Sequence, residues 1–458
     1  MHTNCQKTYF SNVELPFLVM VVLTLSYMVP RCMCTGVCSS STYDSSPKLR
    51  DGAFHFPVFH REHPCVEEQY VHAASVSDAV AVIGDDTIHK GKYFMAISLG
   101  TPPVFNLVTI DTGATLSWVQ CRGCEISCHG QAEEAGKIFE PRNSTTYRHI
   151  SCCNEDCIDL HESYDVPYGC IEETDTCLYN LQYATSQYST GKLGKDRLAL
   201  GISNTSVVAN DFVFGCSEDD LFGGSEAGVI GFGNKSYSFF NQLAKKTSYN
   251  AFAYCFPSDH RSEGFLTIGP YPPKLEVSTP LVTGYGSRWY SHVYSIQQVD
   301  MSVDGRRLDV DPSAYTSQMM MVDSGTEDTF LSPSVYYAFD DAMAVAMRDK
   351  GYVREFDASV SNKVCFRSPN GGSVDWSGLP AVEMKFLRAS LALPPENVFH
   401  QKSDDRICLA FQPDVSGVGG VQILGNKATR SFRVVYDPGD EISLPGSCVL
   451  KERFSFVQ

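Results

Sequence analysis

Basic residues are scarce in this chain, long apolar runs are nearly absent and helical periodicity is sparse. Each shortage removes a class of protein. Lys and Arg total 36 against 53 Asp and Glu, giving a formal net charge of −17 and an isoelectric point near 5.1. A surface so poor in cations argues against nucleic acid as a partner, since binding phosphates needs a basic face. The acid excess favours solubility, and it also tolerates acidification, because protonating surface carboxylates relieves negative self-repulsion. The one candidate membrane segment runs from about Leu15 to Val29 and ends at Pro30-Arg31. Its length suits the core of a signal peptide better than a span, which needs about twenty residues. Its charged flank is thin, Lys7 offset by Glu14, so an uncleaved anchor is the alternative. The C-terminal Cys448-Val449-Leu450-Lys451-Glu452-Arg453 is too polar for a lipid-anchor tail.

No stretch is low-complexity, and a 43% hydrophobic, 12% aromatic content over 458 residues can fill more than one core. The expected division is a leader over 1–34, a Ser-, His- and charge-rich prosegment over 35–89, one lobe over 90–272 and another over 273–458. From Lys92 onward the pattern is short strands with period-2 alternation, such as Tyr93-Phe94-Met95-Ala96-Ile97-Ser98-Leu99, broken by Gly-Pro turns such as Gly100-Thr101-Pro102-Pro103. The clearest helix follows the cap Ser332-Pro333-Ser334 and continues to about Lys350, with a shorter counterpart at Ser238–Leu243. The fold class is mostly β.

Two nearly identical turns stand far apart: Val108-Thr109-Ile110-Asp111-Thr112-Gly113-Ala114 and Met320-Met321-Val322-Asp323-Ser324-Gly325-Thr326. Either alone reads as an ordinary Asp-to-Gly turn. Together, each behind an apolar β-forming run, they indicate a duplicated half that brings two aspartates to one place. The duplication extends to Gly228-Val229-Ile230-Gly231-Phe232-Gly233 and Val421-Gln422-Ile423-Leu424-Gly425-Asn426, where glycine permits close backbone approach.

Of eighteen cysteines, five precede residue 66 and thirteen lie between Cys121 and Cys448. Cys121, Cys124 and Cys128, with His129 adjacent, could suggest zinc, yet no second CxxC of suitable spacing follows. Sequons at Asn143, Asn204 and Asn234 fit a secreted glycoprotein, so disulfides are the favoured reading and metal is not expected. An odd thiol remains, with the doublet Cys152-Cys153 as its natural place.

In these blocks the chain resembles the pepsin-like aspartic proteases, and within them the nepenthesin-like group of plants. The resemblance runs from about Gly91 to Cys448 and is carried by Tyr93–Pro103, Asp111-Thr112-Gly113, Trp118-Val119-Gln120-Cys121, Phe214-Gly215-Cys216, Tyr254-Cys255-Phe256, Asp323-Ser324-Gly325-Thr326, Cys408-Leu409-Ala410-Phe411 and Leu424-Gly425-Asn426. It implies a bilobal fold with the site in the cleft, and an endopeptidase made as a secreted zymogen. Asp111 and Asp323 would be catalytic, with Gly113, Gly325 and Thr326 beside them. Like charges about 4 Å apart repel by about 4 kcal/mol at an effective dielectric of 20, worth about three pKa units, so one aspartate should keep a proton the other has lost. Such splitting is general for paired aspartates in this class. Activity is expected in acid, with no cofactor, on protein or peptide substrates, by a monomer in the apoplast or alternatively the vacuole.

In this family a tyrosine on a hairpin flap pairs with a tryptophan seven positions past the first aspartate; Trp118 has that spacing and Tyr183 is the matching tyrosine. Ala184, Thr185, Ser186 and Gln187 stand where the flap is usually glycine-rich, Ala114 stands where a serine commonly serves the first aspartate, and Glu327 and Asp328 replace uncharged residues. If Glu327 faced the site, its charge would raise the dyad further. The resemblance also implies the pairs Cys121–Cys124, Cys128–Cys216, Cys152–Cys177, Cys157–Cys170, Cys255–Cys448 and Cys365–Cys408, leaving Cys153 free. Some plant relatives of this fold lack protease activity and inhibit glycan-degrading enzymes, which is the alternative function.

Overall fold

The computed structural model describes residues 48–50, 52–60, 82–124, 126–164, 169–183, 186–200, 208–245, 247, 249–259, 262–270, 278–282, 292–357, 363–414, 422–437 and 441–443. The leader segment, Asn204 and Cys448 lie outside them. Among the described residues no helix is long and apolar enough to cross a membrane.

The two halves repeat one arrangement around the paired turns. Strand Val104–Asp111 runs parallel to Gly228–Gly231, with Asp111 opposite Gly231. In the second half, Met320–Asp323 runs parallel to Gln422–Gly425, with Asp323 opposite Gly425. Both central pairs are almost wholly buried, as near-continuous Val, Ile, Leu and Met runs require of strands covered on two faces. The duplicated apolar-apolar-Gly pattern is thus a matched register. A β-carbon on Gly231 would lie 2.3 Å from the Thr115 carbonyl oxygen, and one on Gly425 2.3 Å from that of Asp328, so neither position can carry a larger residue without moving backbone.

A third sheet region joins the halves. Ala53–His60 pairs with Gly264–Gly269, which pairs with Ala251–Cys255, then with Val434–Asp437, and Glu441–Ser443 connects that strand to Ser278–Pro280. Phe56, Val58 and Phe59 of the first strand are fully buried, each contributing roughly 1.5–3 kcal/mol by removal from water. Residues that the sequence places ahead of the lobes therefore form part of the sheet. Phe252 stacks on Tyr436 at 4.5 Å and packs edge-on to Tyr294 at 6.0 Å, building an aromatic floor beneath the aspartate turns.

Helices are few. Pro333–Asp349 begins behind Ser332 with proline in the first turn, which costs no hydrogen bond there, and buries Val335, Tyr336, Phe339, Met343 and Met347 along one stripe. The Ser238 hydroxyl accepts from the Asn241 N–H and caps Phe239–Ala244. A further helix, Glu155–Tyr164, lies in the cysteine-rich insert, where the sequence pattern gave no helix.

The disulfides correct four of the expected pairings. Cys121 bonds Cys216 and Cys124 bonds Cys128, in place of Cys121–Cys124 and Cys128–Cys216. The cause is register: Trp118–Gln120 runs parallel to Val208–Leu221 with Val119 opposite Cys216, so Cys121 meets that strand while the loop beyond closes on itself. Cys152 bonds Cys170 and Cys157 bonds Cys177, in place of Cys152–Cys177 and Cys157–Cys170. Here Cys170 and Cys177 are cross-strand neighbours, and the helix brings Cys157 to within 6.0 Å of Cys177, Cα to Cα. Cys365–Cys408 forms as expected between opposite residues of two strands. Cys255 is disulfide-bonded, and its expected partner lies outside the described residues. Cys153 is free and exposed.

Candidate active site

The ends of the two central strands deliver Asp111 and Asp323 to one point between the halves. Both are more than nine-tenths buried. Each carboxylate accepts a hydrogen bond from the amide two residues on, Gly113 to Asp111 Oδ1 and Gly325 to Asp323 Oδ1, both at 2.7 Å. The glycines also face across the pair. A β-carbon on Gly325 would sit 2.4 Å from Asp111 Cγ, and one on Gly113 3.0 Å from Asp323 Cγ, so any side chain at either position would push the carboxylates apart.

Thr112 and Ser324 lock the two turns together, a role the sequence reading passed over although a hydroxyl follows each aspartate. The Ser324 hydroxyl receives the Thr112 N–H at 3.0 Å and donates to the Ile110 carbonyl at 2.9 Å. The Thr112 hydroxyl receives the Ser324 N–H and donates to the Val322 carbonyl, both at 2.9 Å. Four buried hydrogen bonds thus hold the aspartates at a fixed separation, and leaving any partner unpaired there would cost about 1–3 kcal/mol.

The pair is not symmetric. The Thr326 hydroxyl donates to Asp323 Oδ2 at 2.5 Å, whereas the matching position beside Asp111 is Ala114. Burial first, and then the neighbouring Asp323 charge, push the Asp111 carboxyl well above the usual carboxylate range. The proton that the pair shares is therefore favoured on the Asp111 side, where the second donor is missing.

Glu327 does not stand free beside the dyad. It pairs with Arg430 at 3.3 Å and approaches His400 at 3.7 Å. Arg430 also donates to the Gly91 carbonyl at 3.2 Å and lies over the Tyr93 ring, and Asn426 Nδ2 bridges the Gly91 and Ser324 carbonyls at 2.9 and 3.1 Å. Asp328 points away to His400 at 2.5 Å and Lys363 at 2.7 Å. Although burial opposes it, His400 and Lys363 hold this carboxyl far below its ordinary range. Glu327, Asp328 and His400 are close enough to share a cation, but Lys363 and Arg430 already neutralise them and would repel one.

Trp118 and Tyr183 meet directly. Tyr183, just past strand Thr176–Gln182, accepts a 2.8 Å hydrogen bond from the Trp118 indole N–H. Phe222 packs edge-on against both rings, at 4.8 Å from Trp118 and 5.2 Å from Tyr183. The hairpin turns with Ser186 at a φ of 62°, the left-handed conformation that glycine would take more easily. Behind Trp118 stands His129, another residue whose role lay hidden, because its partners are distant in sequence. Its Nδ1 lies 2.5 Å from Asp220 and its Nε2 2.7 Å from the Glu226 carbonyl. Burial opposes its charge, yet these acceptors prevail and raise its pKa.

Of the expected glycosylation sites, Asn143 is exposed and Asn234 is half-buried. The cysteines of the Cys121–Cys128 stretch are all in disulfides, which removes the thiolates a zinc site would use.

Two family models match, one described as "Xylanase inhibitor N-terminal" over residues 93–270 and one as "Xylanase inhibitor C-terminal" over residues 293–441. An aspartyl protease family protein of Arabidopsis thaliana is 30% identical over 356 residues, covering 77% of this chain and 71% of that protein. Aspartic proteinase nepenthesin-1 of Nepenthes gracilis is 28% identical, covering 77% of this chain and 76% of its own. Basic 7S globulin from soybean shares the fold, with a TM-score of 0.59 at 19% identity over 79% of this chain and 95% of that one. With duplicated aspartate turns in matched register and these relatives along most of its length, the chain belongs to the pepsin-like aspartic protease family.

Proposed function

We propose that this protein is an aspartic endopeptidase, produced in the secretory pathway as a precursor and active in acid, outside the cell or in the vacuole. The observation that carries the reading is the crossed dyad: two buried carboxylates, each served by a glycine amide and held by the Thr112–Ser324 bonds. In the mechanism, ionised Asp323 takes a proton from a water molecule, whose oxygen attacks the peptide carbonyl carbon. Asp111 gives its proton to the carbonyl oxygen, producing a neutral gem-diol. Collapse returns one hydroxyl proton to the dyad and passes a proton to the departing nitrogen as the C–N bond breaks. Thr326 keeps Asp323 the better-stabilised anion, and the missing donor at Ala114 keeps Asp111 the acid. Trp118 and Tyr183 form the lid that covers a bound peptide. The substrate is a protein or peptide, and the working unit is a monomer.

A non-proteolytic binding protein is the second reading, favoured by the inhibitor description of both matching family models. The discriminating experiment acidifies the purified chain and follows peptide cleavage from about pH 3 to 7, beside Asp323→Asn and a transition-state-mimicking inhibitor. The protease reading expects cleavage that the substitution and the inhibitor abolish. Equal activity in wild type and Asp323→Asn rejects it.

A further inference from the structure

Lys92 stands directly before strand Tyr93–Leu99, which pairs antiparallel with Val104–Asp111. The pairing sets Phe94 opposite Thr109 and Met95 opposite Val108. The paired register ends at Phe94 and Thr109; carried two residues further, it would bring Lys92 level with Asp111, and the Lys92 charge is among those that the Asp111 carboxyl feels. Directly opposed residues of an antiparallel pair project from the same face, their β-carbons about 5 Å apart, so on that continued register the lysine would share the side of the sheet from which the Asp111 carboxylate emerges.

The backbone at Lys92 is fixed from two directions. On one side the Gly91 carbonyl is held by Asn426 at 2.9 Å and Arg430 at 3.2 Å, and the Gly91 N–H donates to Asp86 at 3.0 Å. On the other, the Lys92 N–H donates to the His89 carbonyl at 3.2 Å, and His89 pairs with buried Glu226 at 3.0 Å. The carboxylates around this loop are thus already committed: Asp86 to Gly91 and His60, Glu226 to His89, and Glu327 to Arg430. The half-buried Lys92 ammonium has no hydrogen bond or ion pair among the described residues. Its charge is felt at both Asp111 and Glu226 and favours the ionised form of each, although burial and the Asp323 charge still leave Asp111 raised and burial and His89 weigh more at Glu226. The duplication supplies a control: Ser295 pairs with Met321, and the same two-step extension sets apolar Val293 opposite Asp323. Among the described residues the Asp111 side therefore carries an unpaired cation, and the matching place on the Asp323 side is apolar.

We propose that Lys92 is a specificity-determining residue that selects a substrate with an acidic side chain at one fixed position near the scissile bond. A carboxylate placed there gains a charge-assisted hydrogen bond in a site partly screened from water, and a basic side chain is repelled. The protonated Asp111 leaves the dyad with a single negative charge, so a substrate carboxylate on this side is not driven out by two anions. The proposal rests on the endopeptidase reading.

The test uses a set of octapeptides in which each position in turn carries Glu, Gln or Lys, at about pH 5.5, where free carboxylates are ionised. Wild type should favour Glu over Gln at one position by roughly 10- to 100-fold in kcat/KM, the range of a hydrogen bond to a charged group. In Lys92→Met the Glu-to-Gln ratio should fall to near one, and in Lys92→Glu the preference should turn to Lys. Because each ratio compares two peptides on one enzyme, any change Lys92 makes in Asp111 cancels. The same peptides titrated against the Asp323→Asn chain by calorimetry read the preference without turnover. Cleavage with no acidic preference, or a preference that survives Lys92→Met, overturns the Lys92 proposal and leaves the protease standing. Absence of cleavage together with a Lys92-dependent binding preference removes the protease reading and keeps the subsite.

Discussion

The Thr326 hydroxyl is bonded to Asp323 at 2.5 Å, and the residue at the same place relative to Asp111 is Ala114, which has nothing to donate. One missing oxygen separates the two halves of the dyad. Ala114→Ser should supply it, favour ionised Asp111 and lower its raised pKa. In the proposed mechanism the proton on Asp111 is required and is lost as pH rises through that value, so the upper limb of the kcat/KM profile should move about one unit toward acid. An unchanged or alkaline-shifted limb would contradict the assignment of Asp111 as the acid.

Thr112→Ala and Ser324→Ala each break hydrogen bonds of the same buried lock. Each should lower stability by about 1–3 kcal/mol, and the double variant should lose less than the two together, because the bonds are shared. Thermal unfolding of the four proteins gives the coupling. Strict additivity would mean that the turns are held by something else.

The Trp118–Tyr183 bond offers a cleaner cut. Tyr183→Phe keeps the ring packed on Phe222 and removes the hydroxyl that accepts the Trp118 N–H. Stability should change by no more than about 1 kcal/mol, while kcat/KM should fall about tenfold. Loss in stability without loss in turnover would make Tyr183 a packing residue.

Asp328 anchors the second turn through His400 and Lys363. Removing one member of a buried charged set costs about 3–5 kcal/mol, so Asp328→Asn should melt well below wild type at neutral pH. The folded-state carboxyl lies below its ordinary value of 3.8, so its contribution is complete above that pH and declines only as pH falls further toward the depressed value. The gap in melting temperature should therefore persist to about pH 4 and narrow beneath it.

Non-reducing peptide maps should recover Cys121 with Cys216, Cys124 with Cys128, Cys152 with Cys170 and Cys157 with Cys177, and an alkylating reagent should label Cys153. Recovery of Cys121 with Cys124 would mean that the parallel strand contact at Cys216 does not form.

The duplicated turns were legible because each is a short local pattern and its neighbours repeat with it, and Trp118 and Tyr183 could be found by spacing. Cysteine connectivity was not legible: four cysteines along a helix and a hairpin can close in several ways, and the choice depends on strand register. Thr112 and Ser324 stood in plain view within the motif, but their cross-bonding exists only after the halves meet. Glu327 was readable as an unusual charge, yet its partner Arg430 lies 103 residues further along the chain, and the contacts of Asn426 and His129 were likewise hidden by separation in sequence. Local pattern therefore gave the chemistry, and long-range pairing gave its support.

Strand Ala53–His60 pairs with residues near 265, whose neighbours at 251–255 pair in turn with 434–437. These contacts join residues far apart in sequence, and such contacts form slowly, after long loops close. While the ribosome is still making the second half, strand Ala251–Cys255 lacks its partner Val434–Asp437, and the sheet that contains Phe56, Val58 and Phe59 has one flank unfinished. An exposed strand edge of this kind invites pairing with another chain, so yield in a heterologous host should depend more on synthesis rate and chaperone supply than on the stability of the finished protein.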